Sequence, residues 1–487
     1  MGSAASMEAA GIDMQCAVLD IENGVVFGTH DEQFSVPELV ARRMSYYVSD
    51  DGANNYKALT CLKLPTDVTK ICNNAFEDCC LLTSLILPDT ITDIGESAFI
   101  GCIGLSRLIL PDEMDIVRVK TFQGCKNLTT LKLPRNLTKI DVKAFYGCSG
   151  LTALELPESL VSLGKNAFRG CSSITAVTIP KKIKHFGDFV FYDCTGIKTI
   201  SFPDTLTSIG AGAFNGCTGL TSLQLPDSLS VIASGAFSRC DGITSITFPR
   251  QLISMESNVF GGCSNLKELN FPQTLVELGS YAFTYSTRLT SLTLPKQMRT
   301  IDDSAFAECI MLTSVNFPPN LNIICASAFR GCYGLKSLKL PRTVNTVGDS
   351  AFAGCSGMAS LTVPMGLERV GTKAFQNCKT LRSIVNWPIY SDAFIAWAVG
   401  NSRQRSNWRI TTLKHSQNIL KLITEFSFQK GQKVNVTNAA LVPDWMLELV
   451  DDQQSDEESD EEYYVLRTDV FSGCPGLSMR NDYYALM

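Results

Sequence analysis

The sequence predicts a solenoid of the α/β class, wound from coils of 23 residues. Three observations predict it. Phenylalanine recurs every 23 residues without a slip, at Phe76, Phe99, Phe122, Phe145, Phe168, Phe191, Phe214, Phe237, Phe260, Phe283, Phe306, Phe329, Phe352 and Phe375. Cysteine stands three residues after each of them, except where Ser286 takes its place. Prolines keep the same phase, from Pro65, Pro88 and Pro111 to Pro364, each closing an apolar run.

Composition agrees with such a body and limits its partners. The chain has 487 residues, 45% of them hydrophobic and 18% charged, as a globular or solenoid protein requires. A net charge of -6 gives no general pull toward nucleic acid or anionic membrane. No run of apolar residues is long enough to cross a bilayer, and no charged-then-apolar leader opens the chain. Nineteen cysteines could suggest secretion, but thirteen fill one repeated slot, as a small core residue would. They lack the paired spacing of a disulfide framework or zinc site. We therefore expect buried thiols, a reducing compartment and a cytoplasmic protein, with the cell surface as the alternative. No cofactor is called for, and a monomer is expected.

Residues 1–55 are expected to be a disordered start and a cap. Gly2 with Ser6 fits the N-myristoylation pattern, and an unmodified start is the plain alternative. Glu22-Asn23-Gly24 lies between Ala17–Ile21 and Val25–Phe27, which signals a hairpin. Ser35, Pro37 and Glu38 then open a short helix toward Val48. A solenoid needs such a cover, because its first coil would otherwise expose an apolar face and open strand edges. A hairpin followed by a helix also resembles the opening of ubiquitin-ligase adaptor folds.

Residues 56–386 are the coils. In Leu220, Leu223 and Leu225 the chain turns into a strand whose alternate residues point inward. Proline ends that strand, having no N–H for a ladder. Leu206, Ile209 and Gly210 make a second, shorter extended piece. Ala213-Phe214 with Gly216-Cys217 reads as one helical or 3₁₀ turn, in which Ala and Cys are small enough for coils to stack closely. No coil can bury its apolar slots alone, so stacking must do it.

The period slips by one residue at Trp387-Pro388. Residues 387–450 are expected to form a C-terminal cap with an amphipathic helix from Asn418 to Phe426. Residues 451–462 are an acidic run, expected to be disordered, in which Ser455 and Ser459 resemble sites of acidophilic kinases. Residues 463–487 bring back a repeat-like stretch, Phe471-Ser472-Gly473-Cys474, out of phase with the rest.

With these residues in view, the pattern resembles the BspA-type (treponemal-type) leucine-rich repeat. The resemblance rests on Ala98-Phe99-Ile100-Gly101-Cys102, Leu105, Leu108, Leu110-Pro111 and their equivalents, over about two-thirds of the chain. It implies a right-handed superhelix with parallel strands on its concave face, and binding rather than catalysis. Members are often cell-surface adhesins.

The chemistry-bearing residues agree with a non-enzyme. There are three histidines, and His185 lies beside Lys181, Lys182 and Lys184 in what reads as a local basic face. No phosphate loop, dinucleotide fingerprint, nucleophile elbow or metal-binding helix occurs. Binding would then use the outward slots of the main strand, where Arg107, Lys132, Glu155, Gln224, Glu268, Asn270, Asn316 and Lys339 are the candidates among small polar residues. The expected function is a protein-recognition or scaffold module. A surface adhesin and a substrate-recognition subunit of a ubiquitin ligase are the alternatives.

Overall fold

The structure, a computed structural model, describes residues 60–385 apart from Pro65 and Asp67, together with the strands Val25–Val26, Lys433–Asn435, Leu447–Leu449 and Tyr463–Leu466. Two compact units divide the chain, Met1–Ile243 and Thr244–Met487. Both are stacks of the same coil.

Each coil runs through two strands and two turns. In the first unit the main strands Cys61–Lys63, Ser84–Ile86, Arg107–Ile109 and Thr130–Lys132 form one parallel sheet. Register follows the period: Leu62 lies beside Leu85, and Leu108 beside Leu131. In the second unit Ser291–Thr293 pairs with Ser314–Asn316, and Ser337–Lys339 with Ser360–Thr362. Proline then opens a four-residue turn, its carbonyl accepting the N–H three residues on, as in Leu229 N–H to Pro226 O at 3.1 Å. The short strands follow, such as Ser208–Ile209 on Val231–Ile232 and Thr300–Ile301 on Ile323–Ile324.

The turn around phenylalanine is a third ladder. Lys120, Phe122 and Gly124 donate their N–H groups to Val142, Ala144 and Tyr146 of the next coil at 3.0, 2.9 and 2.7 Å. Coils are thus hydrogen-bonded to each other on every side, which leaves few backbone groups unpaired in the stack.

The α/β assignment is corrected here: among the described residues there is no helix, and the coils are purely β and turn. Two left-handed residues per coil explain this. Lys143 has φ 57° two residues before Phe145, and Gly147 has φ 72° two residues after it. A right-handed helix cannot pass through either, so the spacing that suggested a helical turn belongs to two linked reverse turns.

The core lies between coils. The fourteen phenylalanines of the 23-residue period are all at most 1% exposed. Within the first unit successive rings from Phe76 to Phe237 stack at 5.2–5.6 Å between centres. From Phe260 to Phe375 in the second unit they stack at 5.4–5.8 Å. The aromatic spine expected from the period is therefore present in each unit.

The cysteine column does more than fill space. Eleven of its thiols among the described residues donate to the phenylalanine carbonyl of the preceding coil, at Sγ–O distances of 3.1–3.5 Å. The Phe122 carbonyl, for example, accepts the Cys125 N–H from its own coil and the Cys148 thiol from the next. Burial supports the protonated thiol, pushing Cys194, Cys240 and Cys355 up to about 12. Ser286 is the exception. It is fully buried, and its hydroxyl has no hydrogen-bond partner. Outside the column, Cys61 is disulfide-bonded.

At the start, Val25–Val26 pairs in parallel with Lys70–Ile71, the first short strand of the coils. At the end, Tyr463–Leu466 is the central strand of a small antiparallel sheet between Lys433–Asn435 and Leu447–Leu449. The acidic run therefore joins two paired strands. Gly2, the helices read at Ser35–Val48 and Asn418–Phe426, the ligase-adaptor likeness of the N-terminal helix, Ser455, Ser459 and the Phe471 stretch all lie outside the described residues.

Candidate functional site

Backbone ladders and inward leucines leave two regions free to differ between coils: the outer face of the main strands and the edge formed by the phenylalanine turns. On the strand face the alternation is clean. In Arg107–Ile109 and Ser222–Gln224 the central leucine is buried and both neighbours are exposed, as a half-buried strand dictates. All eight candidate residues are exposed.

They do not gather at one point. In the first unit Arg107 and Lys132 lie on adjacent paired strands, with Arg107 beside Thr130 and Lys132 beside Ile109. Glu155 is in the next coil and Gln224 further on. In the second unit Glu268 and Asn270 share a coil, and Asn270 is bridged to Thr293. The Asn316 amide donates to the Thr293 hydroxyl at 3.1 Å. Lys339 sits in the coil after Asn316. A serine file runs along the same face, with Ser291 beside Ser314 and Ser337 beside Ser360.

His185 is tied into the stack. Its Nδ1 is 2.7 Å from the Ser208 hydroxyl and 3.3 Å from that of Thr207, both in the next coil. Among the described residues no group of three His, Cys, Asp or Glu could hold a metal ion, and no helix is long and apolar enough to cross a membrane. Cys325 is half-buried, and its thiol is pushed up to about 11 by burial and by Asp302 and Asp303.

The turn edge holds what the strand face lacks. Tyr146, Arg169 and Tyr192 occupy the same position, one residue after phenylalanine, in three successive coils. The Arg169 guanidinium lies 4.3 Å from the Tyr192 ring centre and 5.7 Å from that of Tyr146. In the second unit Tyr285, Met311 and Tyr333 are exposed by about half on the turns of three successive coils. Sequence reasoning passed over both groups because it looked for binding residues only between the inward leucines. For the first group the signal was there: Tyr146 and Tyr192 stand two periods apart at one slot.

The family model described as "BspA type Leucine rich repeat region (6 copies)" matches residues 50–175, 115–244, 161–290 and 276–394. Among solved structures, a leucine-rich repeat protein from Bacteroides ovatus is similar at 25% identity and a TM-score of 0.54, covering 67% of this chain and 89% of that one. A leucine rich cell surface protein from Faecalibacterium prausnitzii is similar at 25% identity and a TM-score of 0.41, over 63% of this chain and 84% of that one. A leucine-rich repeat protein from Eubacterium ventriosum aligns at 17% identity and a TM-score of 0.43, over 67% and 85%. No curated protein matches in sequence.

Proposed function

The chain belongs to the BspA-type leucine-rich repeat proteins, and from that premise we propose that it is a non-catalytic recognition module binding a protein partner across its main-strand face. One observation carries the reading. The outward slots are exposed and in register, while the fold is held by inward side chains and by backbone ladders that do not involve them. Residues there can vary without cost to stability, which is what a recognition surface needs. Parallel pairing also places side chains from successive coils side by side, so an extended partner meets a row of contacts. A scaffold is one role such a surface suits.

The test is affinity purification with the full chain and with charge reversals on this face, Arg107→Glu with Lys132→Glu in one variant and Lys339→Glu in another. A partner lost from either variant while its fold is kept supports the reading. An unchanged set of partners from both overturns it.

A second reading, a surface adhesin, is favoured by the disulfide at Cys61 and is compatible with the cysteine column. Its thiols are buried and hydrogen-bonded to carbonyls, so they stay reduced by position and need no reducing compartment. Biotinylation of intact cells separates the two. Labelled protein makes it an adhesin; label that appears only after lysis makes it a scaffold.

A further inference from the structure

The edge at Arg169 is built with some care. Lys143 lies with its ammonium 5.8 Å from the Tyr146 ring centre, and Lys165 with its ammonium 5.5 Å from that of Phe189. Phe189 in turn meets Tyr192 edge-on at 5.8 Å. Phe189 holds the left-handed position of its coil, with φ 56°. A bulky ring is uncommon there: Tyr281 is another, while the remaining coils place Asn, Ser, Lys or Gly. The next coil makes room for it with Gly212, whose Cβ would stand 2.4 Å from the Phe189 ring. Two departures from the common coil thus cooperate to hold one aromatic ring at the surface.

The result is a guanidinium between two tyrosines, flanked by two ammonium groups over aromatic faces. Stacking on a ring uses the face of a guanidinium and leaves the N–H groups in its plane free for other partners. Among the described residues Arg169 makes no ion pair. Lys165 has an acid of its own, Asp188, at 3.8 Å, and both are about half exposed. Tyrosine and arginine are the residues that most often anchor protein interfaces. The charge is local, since the whole chain carries -6.

We propose that this edge docks an acidic protein segment, its carboxylates taking the Arg169 guanidinium and the ammonium groups of Lys143 and Lys165 while Tyr146 and Tyr192 cover its apolar parts. The surface is distinct from the strand face, so either can fail without the other.

Fluorescence anisotropy of the full chain with a labelled oligoglutamate peptide tests it, with oligoglutamine and a single-stranded oligonucleotide as competitors for the same reading. Oligoglutamate should bind and weaken as salt rises. Arg169→Ala should lower its affinity about tenfold, and Arg169→Lys nearly as much, because the charge stays but the planar stack is lost. Lys182→Gln and Arg107→Gln should leave it unchanged. Equal binding of oligoglutamine, tighter binding of the oligonucleotide, or a loss at Lys182→Gln as large as at Arg169→Ala would each overturn the proposal.

Discussion

Ser286→Cys should stabilise the protein. At this position the hydroxyl is fully buried and unpartnered, whereas the corresponding thiols of neighbouring coils reach a phenylalanine carbonyl one coil back. The C–O bond is shorter than the C–S bond, so oxygen falls short of a distance that sulfur spans. An unsatisfied buried hydroxyl costs about 1–3 kcal/mol. Replacing it by a thiol removes most of that cost and adds a weak hydrogen bond. Overpacking is not expected, because the slot holds cysteine in the coils on both sides. A gain of about 1–2 kcal/mol follows, and the mirror change Cys217→Ser should lose a similar amount. Cys217 donates at 3.3 Å to the Phe191 carbonyl and is fully buried. Guanidinium unfolding followed by circular dichroism, with reductant present, measures both. A Ser286→Cys protein no more stable than its parent, together with a neutral Cys217→Ser, would show that the column is held by volume alone.

Three further outcomes are expected. Phe214→Ala should cost about 3–5 kcal/mol and can split unfolding into steps, as coupled coils allow; a loss below about 1 kcal/mol would contradict a buried stack. Gly147→Ala should cost about 1–2 kcal/mol from its φ of 72° alone, since the nearest atom to a new Cβ is 3.9 Å away. Gly210→Ala should cost more despite an ordinary backbone, because its Cβ would stand 2.7 Å from the Gly187 carbonyl oxygen; equal losses in the two variants would reject this distinction. Column thiols raised to about 12 from an ordinary 9.0 bind protons more tightly folded than unfolded. Their contribution is fully present below pH 9.0 and is lost as pH rises from there through about 12, so alkaline unfolding should begin above pH 9.0; a flat profile over that window refutes it.

The stack was legible because its cause is local and repeated. Phe, Cys and Pro each occupy a slot whose size or missing N–H admits few alternatives, so the residue itself marks the slot. The left-handed position two residues before phenylalanine was not legible. Asn74, Ser97, Lys120, Phe189 and Tyr281 all adopt it, and no glycine signal unites them. Neighbouring coils impose that conformation through the third ladder, which overrides the preference of each residue. The helical reading failed for this reason. The thiol's role as donor was hidden too, since volume and hydrogen bonding ask for the same side chain until a serine separates them. Of the site, the outward strand slots followed from period-2 alternation, whereas the Arg169 edge needed the turn to be seen.

The contacts between coils have one more consequence. Strand pairs join residues 23 apart, the phenylalanine-turn bonds join residues 22 apart, and the thiol bonds join residues 26 apart. Every one of these offsets survives if a segment of one full period is cut out and the ends are rejoined. Excising residues 123–145 would set Phe122 directly before Tyr146 and return every column to phase. Genes for such chains can grow or shrink by whole coils through unequal recombination and keep every column in phase.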